Sequence, residues 1–159
     1  MKRIALLAML LVSALGYSQG SSNATATTNA VIVSPLKVVK TNDLNFGKII
    51  GSAAGGNVSI AADAAGTRTI ASDMDAPTSD NQAASFDITG GDLTYTITLE
   101  ASDLTATGQT SMELTPVTNL AGTTSSGTQT IYVGGTLAVN PDQGVATYAG
   151  NVKVTVSYE

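Results

Sequence analysis

Chemistry near neutral pH needs a side chain that moves a proton, attacks an electrophile or holds a metal, and this sequence is poor in all three. It contains no His and no Cys, so the general bases and nucleophiles built on them are unavailable. Serines are plentiful, but none sits in a G-x-S-x-G turn. Lys37, Lys40, Lys48 and Lys153 could each enter a Ser/Lys dyad. All four lie in or beside predicted strands, where a lysine ordinarily serves a solvated outer face. Asp73, Asp75 and Asp80 share one loop and offer hard oxygen ligands of the kind calcium takes. They lack the D-x-[DN]-x-[DN]-G order of a calcium loop and no Glu closes it, so an acidic solvated loop is the simpler reading. "GSAAGG" (Gly51 to Gly56) is not followed by the Gly-Lys-Ser/Thr of a phosphate loop. The expectation is a protein that is not an enzyme and carries no cofactor.

The segments that flank such residues say where the chain goes. Lys2 and Arg3 precede an apolar run from Ile4 to Leu15 broken only by Ser13, and Gly16-Tyr17-Ser18 supplies the small residues of a cleavage site. The run is shorter than the ~20 residues of a membrane-spanning helix. Residues 1–18 therefore read as a signal peptide, and the protein as exported. Without Cys there is neither a lipid-bearing cysteine nor a disulfide, so the fold must rest on packing and strand pairing. Once Lys2 and Arg3 are removed, five basic residues face twelve acidic ones, a net charge of about −7. Nucleic acid and anionic lipid are poor partners for that balance.

Residues 19–30 ("QGSSNATATTNA") are small and polar and read as a flexible N-terminal arm; residues 31–159 read as one domain. A β-branched run is interrupted at Pro35, and Leu44 and Phe46 return at spacing two. Period-two patterns then recur at Val58–Ile60, near Arg68–Ala71, at Phe86/Ile88, and at Leu93, Tyr95, Ile97 and Leu99. Further ones follow at Met112/Leu114, Ile131/Val133 and Leu137/Val139. In the last, "VKVTVSY", Val152, Val154, Val156 and Tyr158 alternate with Lys153, Thr155 and Ser157. About eight short strands between Gly, Asn, Asp and Ser clusters predict an all-β antiparallel sandwich.

Four stretches taken in order carry a resemblance: Pro35-Leu36 with Leu44-Asn45-Phe46-Gly47; Phe86-Asp87-Ile88-Thr89-Gly90; Val133-Gly134-Gly135-Thr136-Leu137; and Tyr148-Ala149-Gly150 leading into Val152–Tyr158. This order resembles a family of bacterial exported domains of unknown function. That family is similar to the spore-coat-protein-U-like domains and to the pilins of the chaperone–usher pathway. The resemblance implies an immunoglobulin-like, pilin-like sandwich that lacks one strand, with a groove beside Val152, Val154, Val156 and Tyr158. It implies that a neighbour's arm fills this groove, so that subunits polymerise with themselves or with other filament subunits, served by a periplasmic chaperone and an outer-membrane usher. On the arm, Ala24, Ala26, Thr28, Ala30 and Ile32 share one face, and of these only Ile32 is bulky.

Two functions are expected from different classes. The first is a fimbrial or surface-filament subunit built by β-strand donation, reaching the cell surface or medium through the periplasm. The second is a self-complete, monomeric adhesion module at the cell surface. A binding module is expected to show exposed aromatic residues in its loops, whereas Tyr95, Tyr132, Tyr148 and Tyr158 fall within or next to strands. That favours the structural reading.

Overall fold

The computed structural model describes residues 20–120 and 126–159, so the expected signal peptide lies outside the described residues. The chain divides into two units, Met1–Val31 and Ile32–Glu159. In the first, residues 20–31 carry no strand and their side chains are exposed.

The second unit is all-β: β1 (Lys37–Asn42), β2 (Gly56–Ile60), β3 (Arg68–Ile70), β4 (Ala84–Thr89), β5 (Tyr95–Ala101), β6 (Leu114–Thr118), β7 (Gln129–Val139) and β8 (Val152–Tyr158). No helix among the described residues is long and apolar enough to cross a membrane. Alternation drives each strand. Phe86, Ile88, Ile131, Val133, Leu137 and Val139 point inward and are buried. Asp87 points outward, where its two carboxylate oxygens accept from the Thr41 and Thr130 hydroxyls at 3.1 and 2.8 Å.

The strands pair antiparallel in two sheets. In the larger, β1 pairs β4, and β4 pairs the first half of β7 (Ala84↔Val133 through Ile88↔Gln129). The second half of β7 pairs β2 (Gly56↔Val139 through Ile60↔Gly135), and β2 pairs β3. Along the opposite edge of β7 lies β6, from Leu114↔Leu137 to Thr118↔Val133. The smaller sheet is β5 with β8, in register from Tyr95↔Tyr158 to Ala101↔Val152. The inner faces meet in two clusters. One is centred on Val58, Ile60, Leu114 and Leu137, the other on Ile88, Tyr95, Ile131 and Val133.

One expectation is corrected. Ile131/Val133 and Leu137/Val139 belong to a single strand of eleven residues, which runs straight through Gly134-Gly135. The glycines mark close approach rather than a turn. A Cβ at Gly134 would strike the Ile60 carbonyl oxygen, and one at Gly135 would lie 2.8 Å from that of Thr115. Strands on both sides of β7 come too near for any side chain there. Leu44–Phe46 makes only an isolated bridge, Asn45 to Gln82, and Leu93 precedes β5 and is exposed.

Candidate functional site

An edge strand exposes a row of backbone donors and acceptors, which proteins usually protect. Three edges of the larger sheet carry such protection. On β1 the pairing is irregular between Lys40 and Asn42, and a bulge discourages a further strand. β3 is only three residues long. β6 carries Pro116 at its centre.

β8 has none of these devices. It is seven residues long, regular, and paired on one side only. Its one charged side chain, Lys153, is neutralised by Glu100 across the β5 ladder, at 2.9 Å. Val152, Val154, Val156 and Tyr158 face inward as the alternation requires, yet every one is only half-buried. On β5, the partner strand, Tyr95 and Ile97 are buried at 0% and 7% exposure, so it is on the β8 side that the core is left short of cover.

At the Val152 end of β8, between the 40–51 and 143–152 segments, lies an open groove of about 760 Å³. It is lined by Lys40 and Asn42–Leu44, by Val152 and the loop before β8, and by Phe86, Met112 and Leu114 among others. The ionisable groups at this rim include Lys40 and Asp43, which pair with each other at 2.5 Å in the open. The lining also carries Asn45, Lys48, Gln143 and Thr147 beside its apolar side chains.

At the other end of β8, away from this groove, lies a node of hydrogen bonds. The Tyr158 hydroxyl donates to the Ser34 carbonyl (2.5 Å) and accepts from the Gly91 N–H (3.1 Å). The Ser34 N–H donates to Asp92 Oδ2 at 2.7 Å. That bond, with a second from the Ser34 side chain, holds the Asp92 carboxyl below its ordinary range against a small opposing effect of desolvation. Gly90 (φ 90°) lies flush against the Pro35 carbonyl, where a Cβ would collide with the oxygen. Next to it Tyr95 donates to the Gly127 carbonyl at 3.3 Å, and burial pushes its phenol up. Ser34, just before β1, meets Tyr158, while Asn42 at the end of β1 and Val152 line the same groove, so β1 and β8 run antiparallel.

The three loop carboxylates proposed for calcium do not gather. Asp73, Asp75 and Asp80 are exposed, and among the described residues no three acidic or metal-binding side chains converge on one point. Asp75 instead accepts from the Ala76 N–H. Arg68 holds this loop: its guanidinium donates to the carbonyls of Phe46, Lys48, Ala76 and Pro77 and to the Ser79 hydroxyl. Sequence reasoning passed over Arg68, although it is the only arginine after Arg3. It also passed over the Ser34–Asp92 contact, whose partners are 58 residues apart. The arm residues Ala24, Ala26 and Ala30 are exposed, and Ile32 is 97% exposed, so its side chain is free to be buried elsewhere.

A family profile described as "Domain of unknown function (DUF4402)" matches residues 36–158, from the lead into β1 to the last residue of β8. The chain belongs to this family. No curated protein and no solved structure matches it. The DUF4402 match begins two residues after Ser34 and ends on Tyr158, so it takes in both walls of the groove and leaves the arm outside.

Proposed function

We propose that this protein is a non-enzymatic structural component of the cell surface, a filament subunit whose β8 edge accepts a β-strand from another molecule. The observation that carries the reading is β8, where an unprotected edge and a half-bare inner face occur on the same strand. Each alone is common. Together they describe a sheet that stops one strand early, and addition of a strand would supply both the backbone partners and the missing apolar cover.

The strand order supports the same reading. β1-β4-β7-β6 against β5-β8 follows the ABED and CF strands of an immunoglobulin sandwich, in which a seventh strand, G, pairs with F. The position of G is the free edge of β8. A sandwich open at that position is what the resemblance to chaperone–usher pilins implies, and the strand order supports it. Strand donation in one direction leaves each new subunit with a bare β8 edge, so the contact is heterologous and produces a fibre rather than a closed dimer. An exported subunit with such an edge would need a periplasmic chaperone to cover it until an outer-membrane usher passes it on.

Electrophoresis of surface-extracted protein, unboiled and boiled, tests this against the same protein lacking residues 19–30. A ladder that collapses on boiling and is lost with the arm is expected. A single monomer band in every lane, with the truncated chain still folded, would replace the filament by a self-complete adhesion module.

A further inference from the structure

We infer that the groove of about 760 Å³ is a binding site for a small amphiphile, an unbranched aliphatic chain ending in one carboxylate, with the chain in the groove and the carboxylate at Lys48. Of β8 only Val152 lines this groove. Val154, Val156 and Tyr158 lie outside it, so a strand added along β8 and a ligand in the groove do not require one another. Its volume falls within the range of small-molecule sites, about 300–1,000 Å³.

The lining chooses an aliphatic body. Met112, Leu114, Leu137 and Val139 line the groove and belong to the first core cluster, with Leu44 and Ile49 packed against it. These side chains make no directional demand, and whatever covers them gains by leaving water. The amide side chains of the lining are mostly engaged within the protein. Asn42 donates to Ser85 Oγ at 2.7 Å, and Asn45 Oδ1 accepts from the Gly47 N–H at 2.9 Å. Gln143 Nε2 donates to the Thr110 carbonyl and to the Tyr148 hydroxyl, both at 2.7 Å. A sugar needs such groups free to read its hydroxyls; an aliphatic chain does not.

Charge chooses the head. Lys40 is paired with Asp43, the one acidic residue in the lining, whereas Lys48 lines the same groove and forms no ion pair among the described residues. The rim therefore carries one net positive charge on a protein whose twelve acidic residues outnumber its seven basic ones, and it suits a singly charged anion. Lys48 is also held in place. Its N–H donates to Ser79 Oγ at 2.9 Å and its carbonyl accepts from Arg68 at 3.1 Å. The facing wall is fixed by a second network, in which Asn140 donates to Gln143 Oε1 and the Tyr148 hydroxyl to the Gly144 carbonyl, both at 2.7 Å. That loop nevertheless leaves Val145 fully exposed at the rim. Both walls are built by the protein's own bonds, as small-molecule sites usually are.

Isothermal titration of the full mature chain with octanoate, decanoate and dodecanoate, each below its micelle concentration, tests this. Each added methylene should tighten binding about fourfold. The primary alcohol of equal length should bind about threefold more weakly than the carboxylate. Lys48→Met should remove that difference and leave the dependence on chain length unchanged. Because the chain has no Trp, Val145→Trp places a single fluorophore at the rim, and its emission should shift to the blue with the same midpoint. Absence of binding by all three carboxylates would overturn the inference. Binding that leaves the Trp emission unmoved would place the chain elsewhere and overturn it as well. An alcohol that binds as tightly as its carboxylate, or a preference that survives Lys48→Met, would overturn the assignment of the head group to Lys48.

Discussion

The Tyr158 hydroxyl joins the last strand to the start of the first, and its loss should be measurable. Tyr158→Phe keeps the ring against the core and removes one oxygen, deleting the donation to Ser34 and the acceptance from Gly91. A net hydrogen bond is worth about 1 kcal/mol, and a buried donor left unpaired costs about 1–3 kcal/mol. Ser34 is exposed and its carbonyl rehydrates; Gly91 is buried and its N–H does not. The sum is roughly 2–4 kcal/mol. For a domain the size of Ile32–Glu159, each kcal/mol moves the midpoint by about 4 °C, so a fall of roughly 8–16 °C is expected. Calorimetry on the monomeric fraction of the mature chain would measure it. Asp92→Ala acts on the same residue, Ser34, so its effect should be smaller in the Tyr158→Phe background than alone. A midpoint within about 2 °C of the parent, or full additivity of the two changes, would refute the node.

Other expectations concern β8, the loop and pH. Val154→Asp and Val156→Asp place a charge on the inner face of β8 and should abolish assembly or lower the yield of folded protein, while Thr155→Lys, on the exposed face, should do neither; equal tolerance at the three positions in the gel assay would contradict the alternation. Arg68→Ala removes five donations to the 46–48 and 76–79 segments. It should destabilise by roughly 2–4 kcal/mol, since bonds to a charged group exceed neutral ones; limited proteolysis should then cut first near Pro77, and unchanged cleavage would count against the keystone role. The Asp92 carboxyl is held low, so its contribution is complete above 3.8 and fades as pH falls through the lowered value; in acid titrations, Asp92→Ala should flatten the lowest part of the stability curve. Tyr95 is shifted the other way by burial, so its contribution is complete below 10.0 and is lost as pH rises beyond it; Tyr95→Phe should resist alkaline unfolding better than the parent.

How much was legible in the sequence follows from how far each signal reaches along the chain. Alternation is a property of neighbouring residues, and it located β2, β4, β5 and β8 and the inward face of the last. It misread Gly134-Gly135, because a glycine that makes a turn and one that admits a neighbouring backbone look the same in one dimension. The three carboxylates of the 73–80 loop looked like a group because they are close in sequence; in space they point into solvent, and a guanidinium from β3 organises the loop.

By itself the sequence determined the all-β class, the absence of disulfides and the apolar face of β8, since composition and period-two patterning act locally. Which edges are protected, and that Ser34 is held at both its N–H and its C=O, were decided only by tertiary structure. The second depends on residues from the lead into β1, the β4–β5 turn and β8 meeting across 58 to 124 positions of chain, and no local pattern records such a meeting.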